Sequence, residues 1–335
     1  MLKPIGIIGA GGWGIALAKL LADNGEQVTL WCHRAESLRE LQENRESRTY
    51  LAGIVLPPSI QLTRSIEAAV ADKSLVICAL PSHTVRNVMA GAASYLSSET
   101  TVLCGTKGLE EESLKTMGEV LAETLGDPQK QRYAFLSGPT FALEVAQGLP
   151  AAVTVAARVE VIAKDVQGNL STQNFRVYTS TDVIGVQMGG VIKNVIAIAA
   201  GISDGLNLGH NARAALITRG LAEMTRLAVR MGADSMTLTG LPGLGDLVLT
   251  CAGDLSRNRK VGIQIAQGKS VQKISEETRM VAEGIRNTRS VHLLSRRLGA
   301  EMPIVEQMYK VIYEGKKPAE AVRDLMQRSL KPELC

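Results

Sequence analysis

The sequence predicts an α/β protein in which an N-terminal, doubly wound parallel sheet is followed by an all-helical C-terminal domain. Three observations carry the prediction. A glycine-rich turn joins a short apolar run to an apolar-periodic segment at residues 4–21. Further short apolar runs alternate with helix-like segments up to about residue 180. From about Ile184 the spacing is helical almost to the end, with little β-branched alternation.

In the opening stretch PIGIIGAGGWGIALAKLL, Ile5 to Ile8 lead into Gly9, Gly11 and Gly14 at GxGxxG spacing, then into Ile15, Leu17, Ala18 and Leu21. That is strand, tight turn and helix, the first unit of a Rossmann-like sheet. The first glycine permits the turn, the second lets a pyrophosphate approach the backbone, and the third lets helix pack close on strand. Phosphates would then lie at a helix N-terminus, where free N–H groups favour anions. Glycine turns also serve as plain connections, but this one follows a buried-type strand and opens a helix, which favours dinucleotide binding.

The second strand, Val28 to Trp31, is expected to end in Asp or Glu in an NAD binder. Cys32, His33 and Arg34 stand there instead. Arg34, helped by His33, offers a fork of donors to the 2′-phosphate of NADP(H); otherwise it is a solvated loop arginine. NADP(H) is therefore the preferred cofactor and NAD(H) an acceptable one. A charged helix is expected at Glu36 to Arg45, and strands at Leu75–Leu80, Thr101–Cys104, Tyr133–Leu136, Ala151–Ala156 and Phe175–Tyr178, with a helix over Ser113–Leu125 between them. The loops after the middle strands, Pro81-Ser82-His83, Gly105-Thr106-Lys107-Gly108 and Ser137-Gly138-Pro139-Thr140, fall at the strand ends where ligands collect in such sheets. Lys107 is either a surface lysine or a ligand contact there.

At 335 residues the chain is long for one core, so two domains are expected, residues 1–182 and 183–335. A net charge of +4, spread along the chain, and 3% aromatic residues argue against a nucleic-acid partner and suit small anionic ligands. The five cysteines are scattered and mostly sit in apolar runs, and the chain enters a strand by residue 5, so a cytoplasmic protein without a signal peptide is expected. The richest apolar segment, Val191–Gly201, falls short of the ~20 residues that span a bilayer. A homodimer is a guess from size and the helical second half.

Gly185 to Gly201 reads GVQMGGVIKNVIAIAAG. On a helix, Gly189, Gly190, Ala197 and Ala200 share the face of Lys193, and the other faces are apolar. A lysine so placed is costly unless compensated. It either snorkels to water or points into the cleft between domains. In the cleft, burial lowers its pKa toward neutrality and fits it to exchange a proton with an alcohol or carbonyl while hydride moves. Histidine and cysteine spacing gives no metal site, and no GxSxG elbow is present. On the next helix Ile217, Leu221, Met224, Ala228 and Met231 form a core stripe, with Gly232 at the C-terminal end. In LPGLGDLVLTCAGDLSRN, Asp246 follows two glycines, and Ser256 precedes Arg257 and Asn258 at the start of a helix that ends near Gly268. Arg257 there suits an anion shared with the helix N-terminus, or is simply solvated beside Arg259 and Lys260. Asp246 is equally readable as a turn residue.

Together these segments resemble the bacterial-type NAD(P)-dependent glycerol-3-phosphate dehydrogenase family. The likeness runs through GAGGWG at Gly9, GTKG at Gly105, SGPTFA at Ser137, KNVIAIAAG at Lys193 and NARAALITRGLAEM at Asn211. It continues through GLGDLVLTC at Gly243, SRN at Ser256, VAEG at Val281 and MPIVEQMY at Met302. The resemblance implies reduction of dihydroxyacetone phosphate to sn-glycerol 3-phosphate, the backbone precursor of glycerophospholipids. It makes Lys193 the acid/base and places Lys107, Gly138, Thr140, Asp246, Ser256, Arg257 and Asn258 at the substrate. Gly12, Trp13, His33, Arg34, Lys107, Ala142, Arg257, Val281 and Glu283 fall at the cofactor, the last two on likeness alone. Gln187 stands where an acidic residue is expected ahead of the glycines, and Pro242 stiffens the approach to Gly243. Two alternatives stay open: a β-hydroxyacid dehydrogenase acting on a carboxylate, and a nucleotide-sensing module without chemistry.

Overall fold

The computed structural model describes residues 4–126, 132–277, 283–330 and 332–333. The N-terminal half alternates β1 (Ile5–Ile8), α1 (Gly12–Asp23), β2 (Val28–Trp31), α2 (Ala35–Asn44), β3 (Gln61–Thr63), α3 (Ile66–Val70), β4 (Leu75–Cys78), α4 (Val85–Ala92) and β5 (Thr101–Cys104). It continues with α5 (Met117–Leu125), β6 (Tyr133–Ser137), α6 (Ala142–Ala146), β7 (Ala151–Ala157), α7 (Glu160–Leu170) and β8 (Phe175–Ser180). The eight strands form one sheet in the order β3-β2-β1-β4-β5-β6-β7-β8. Residues of β1, β2, β4, β5 and β6 are all buried, which is why these strands read as unbroken apolar runs. The strand order reverses between β1 and β4, and the loops after β1, β4, β5 and β6 share the carboxyl edge beside that reversal.

Two expectations need correction. The sheet is parallel from β3 through β6, but β7 runs antiparallel to β6, with Ser137 opposite Thr154. The cause is the connection: α6 is a single short helix packed on α1, and Gly148, at φ +76°, turns the chain back before it crosses the sheet. β8 then lies parallel to β7. The helix expected from Ser113 starts only at Met117. Leu114 sits at φ +59°, and Thr116 closes a capping box in which its hydroxyl accepts from Glu119 N at 3.3 Å while Glu119 Oε2 accepts from Thr116 N at 2.8 Å.

The C-terminal half is helical: α8 (Val183–Gly205), α9 (Gly209–Arg230), α10 (Ser235–Thr239), a π-helical turn at Leu241–Gly245, α11 (Asp246–Ala252) and α12 (Arg257–Ala266). After these come α13 (Val271–Glu277), α14 (Glu283–Arg297), α15 (Pro303–Tyr313) and α16 (Pro318–Met326). α8 is the axis of this half. Asp182 caps its start by accepting from Gly185 N at 2.8 Å. At 23 residues it is longer than its apolar run predicts and is long and apolar enough to cross a membrane, but 83% of its apolar window is buried inside the protein. It is a core helix, packed against α9, α11, α12 and α14.

One buried charge holds two of these helices together. Glu223 of α9 is 3% exposed and accepts from Ile304 N at 2.7 Å and Val305 N at 3.2 Å, supplying the cap that Met302 does not give α15. Burial raises its carboxyl to about pKa 7 against the lowering pull of those two N–H groups. Glu223→Ala leaves both donors buried and unpaired, at about 1–3 kcal/mol each. A fall in Tm of several degrees by calorimetry is the expected result; an unchanged Tm contradicts it.

Candidate active site

The turn between β1 and α1 shows why two of its glycines are needed and leaves the third beside open space. Gly9 has φ +116°, and a Cβ there would lie 2.7 Å from Ala79 O. A Cβ on Gly14 would lie 1.8 Å from Gly9 O, so helix and turn touch backbone to backbone. At Gly11 a Cβ would meet nothing within 4 Å, so the turn faces open space. Gly11 is also the N-cap of α1 and provides no side-chain cap, which leaves first-turn N–H groups available to an anion. Gly12 lies under the start of α6, 3.9 Å from Ala142 Cβ measured from its own would-be Cβ. The turn therefore fits a dinucleotide pyrophosphate. Trp13 turns its ring toward the β5 loop, its buried Nε1 without a hydrogen-bond partner and 2.8 Å from where a Gly105 Cβ would be. His33 and Arg34 are exposed just past β2, and the Arg34 guanidinium makes no ion pair among the described residues.

A second cluster forms where the β5 and β6 loops meet the helical half. Lys193 is 6% exposed, so it does not snorkel. Its Nζ donates to Asp246 Oδ1, and to Thr250 Oγ1 at 3.0 Å. Lys107 Nζ donates to the other oxygen, Asp246 Oδ2, at 2.6 Å and to Gly138 O at 3.2 Å. Asp246 is fully buried between the two ammonium groups. Burial lowers the Lys193 pKa to about 7; Asp246 opposes this and Lys107 reinforces it. Burial works to raise the Asp246 carboxyl, but Lys107 and Lys193 outweigh it and hold it below its usual value.

The small face of α8 admits these neighbours. A Cβ on Gly189 would meet Pro242 O at 2.3 Å, and one on Gly190 would meet Ser137 Oγ at 2.8 Å and Lys107 Cγ at 3.2 Å. The counter-charge of Lys193 thus comes from α11, and position 187 supplies none: Gln187 Oε1 accepts from Gly118 N at 2.9 Å. Pro242 lies inside the π-helical turn that delivers Asp246.

The remaining predicted residues divide into two groups. Thr140 is close to the cluster, its hydroxyl donating to Gly138 O at 3.1 Å. Ser256 caps α12 by accepting from Arg259 N at 3.2 Å, and Arg257 opens that helix with an exposed side chain that has no hydrogen-bond partner among the described residues, within electrostatic reach of Glu283 and Tyr50. Asn258, by contrast, is committed to the protein: its Nδ2 donates to Asn194 Oδ1 at 2.8 Å and its Oδ1 accepts from Gly284 N at 3.0 Å. Glu283 accepts from Ser82 N at 3.0 Å and Ser82 Oγ at 2.8 Å. Val281 lies outside the described residues. Sequence reasoning missed Thr250 and Asn194, and named Ser82 only as part of a strand-end loop. Thr250 was findable, standing one helical turn after Asp246; Asn194 carries no local signal. Among the described residues, no three His, Cys, Asp or Glu side chains gather in a way that would hold a metal ion.

A lysine brought near neutrality, in a chain whose first turn has the shape for a pyrophosphate, is what proton-coupled hydride transfer needs, and it sets the chain among the NAD(P)-dependent dehydrogenases. Known proteins narrow that class. The N-terminal pattern of the NAD-dependent glycerol-3-phosphate dehydrogenases matches residues 4–163, and their C-terminal pattern matches residues 182–323. The chain is 52% identical over 333 residues to the glycerol-3-phosphate dehydrogenase [NAD(P)+] of Citrifermentans bemidjiense, covering 99% of each chain. It is 53% identical over 328 residues to that of Anaeromyxobacter dehalogenans, covering 98% of this chain and 99% of the relative. The crystal structure of glycerol-3-phosphate dehydrogenase from Coxiella burnetii superimposes with a TM-score of 0.93 at 39% identity, over 97% of this chain and 99% of that one. The chain belongs to the NAD-dependent glycerol-3-phosphate dehydrogenase family.

Proposed function

We propose that the protein reversibly reduces dihydroxyacetone phosphate to sn-glycerol 3-phosphate with NADPH or NADH, supplying the glycerol backbone of phospholipids. The observation that carries this is the buried Lys193–Asp246–Lys107 cluster facing the strand-end loops. The first domain, residues 1–182, holds most of the cofactor: Gly9, Gly11, Gly12, Trp13 and Gly14 at the pyrophosphate, His33 and Arg34 at the ribose end, and Lys107 and Ala142 nearby. Residues 183–335 supply Lys193, and add Arg257, Val281 and Glu283 to the cofactor side. The nicotinamide, when bound, supplies or accepts the hydride. Lys193 in its ammonium form gives a proton to the C2 oxygen on reduction, and in its amine form takes it back on oxidation. Asp246 orients that ammonium and offsets the repulsion from Lys107. Lys107, Gly138, Thr140, Ser256, Arg257 and Asn258 are assigned to the phosphorylated three-carbon chain. Asn258 contributes by fixing Asn194 and Gly284. Cys32, Cys78, Cys104 and Cys251 are free and buried, which supports a reducing compartment such as the cytoplasm.

Mixing the protein with NADPH and dihydroxyacetone phosphate and following the reduced nicotinamide by absorbance tests this activity. Turnover with the phosphate but not with 3-oxo carboxylates is expected; the reverse preference contradicts it. NADP(H) is the preferred cofactor, because Arg34, just past β2, carries a guanidinium with no ion pair among the described residues. Arg34→Ala is expected to weaken NADPH binding by about tenfold or more, the scale of one charge-assisted phosphate contact, and NADH far less. Equal loss for both in a binding titration returns Arg34 to the solvated loop residues.

A further inference from the structure

Helix α14 presents one face to two loops of the sheet. Glu283 and Asn287 stand four residues apart, one above the other on that face. Glu283 holds Ser82 in the loop after β4. Asn287 is 1% exposed, and its Nδ2 donates to the main-chain oxygens of Lys107 at 3.1 Å and of Val191 at 3.2 Å. Asn194 Nδ2 reaches the same Lys107 oxygen from α8 at 3.4 Å. Gly108 is wedged between the two tethers: a Cβ there would lie 2.6 Å from Ser82 Oγ and 3.2 Å from Asn287 Oδ1.

Residues 105–108 have no regular secondary structure. The position of the Lys107 side chain is therefore set by what holds its main chain, and the two amides that do so come from α14 and α8. The bond to Val191 ties α14 to α8, whereas the second bond, to Lys107, reaches the loop after β5. Asn287 Oδ1 is buried without a hydrogen-bond partner, so the side chain is oriented for its donors even at the cost of its acceptor.

We propose that Asn287 is a positioning residue for the reaction: its amide pins the Lys107 main chain to α8, so that the Lys107 ammonium stays on Asp246 beside Lys193. The proposal rests on Lys193 being the acid/base. Lys107 is one of the groups that depress the Lys193 pKa. A loosened loop therefore lets that pKa rise, and the alkaline limb of the reduction rate moves to higher pH.

The test uses full-length Asn287→Ala and Asn287→Asp, the second keeping the side-chain volume and deciding the matter if the first does not fold. In Asn287→Ala, kcat for dihydroxyacetone phosphate is expected to fall about tenfold or more, with the alkaline limb raised by about half a pH unit. Asn287→Asp is expected to lose kcat to at least the same extent. Hydrogen exchange at residues 105–108 is expected to speed up in both. A lowered Tm with kcat, the limb and exchange unchanged overturns the proposal and leaves Asn287 a packing residue. If wild type does not turn over, the proposed function fails, and the exchange measurement alone still decides whether Asn287 clamps the loop.

Discussion

Lys193→Met is expected to lower turnover of dihydroxyacetone phosphate by about 10²–10⁴-fold, the range in which a positioned general acid contributes. Methionine keeps the length and apolar stem that fit between Gly189, Gly190 and Ala197, and removes the ammonium proposed to exchange the proton. The nucleotide turn is untouched, so NADPH binding is expected to survive. In wild type, with the Lys193 pKa near 7, reduction needs the ammonium and falls as pH rises through that value, while oxidation needs the amine and falls as pH drops through it. In the variant both limbs vanish and leave a slow rate that is flat with pH. Steady-state rates in both directions across pH 5.5–9 check this as an approximate working window for a group titrating about 7. A variant that keeps turnover, or keeps the limbs, contradicts it.

Asp246→Asn is the second large effect, and it acts on stability and chemistry together. Two ammonium groups would lose their shared buried counter-ion, a change that costs about 3–5 kcal/mol where a buried pair is broken from one side. Asp246 also opposes the depression of Lys193, so its loss drives that pKa further below 7 and shifts the reduction limb to lower pH. The pH dependence of stability has a definite sign. The Asp246 carboxyl is held below its ordinary 3.8, so its contribution is fully present above that value and is lost as pH falls through the lower folded value. The Tm gap between wild type and variant is therefore wide at neutral pH and narrows in strong acid. A gap that does not change with pH, or an unmoved limb, contradicts the role given to Asp246.

Much of this site was legible because local signals coincide with it. Gly9 and Gly14 of the first turn do what their spacing predicts, since the turn and the close packing of helix on strand are backbone properties written in residue type. Ser256 announced the helix that Arg257 opens. What stayed hidden depends on partners distant in sequence. Asp246 is 53 positions from Lys193 and read equally well as a turn residue, because nothing local tells that two lysines converge on it. Strand direction was equally silent: the apolar run of β7 has the same composition whether the strand is parallel or reversed, and the reversal is set by the short α6 and Gly148. The full length of α8 was underestimated because Gly185, Gln187, Gly189 and Gly190 interrupt the apolar run before Val191, and Ser203, Asp204 and Gly205 close it after Ile202. Asn287 sits in a polar stretch, EGIRNTR, whose pattern marks no face as inward.

The central claim is that Lys193 is the group that exchanges the substrate proton. A crystal structure of the protein with NADP(H) and glycerol 3-phosphate tests it most directly. The account predicts Lys193 Nζ about 3 Å from the C2 oxygen, within hydrogen-bond reach, with Asp246 still bridging it to Lys107. A complex in which the Lys193 amine faces bulk water, or the C2 oxygen rests against a different acid, would contradict it.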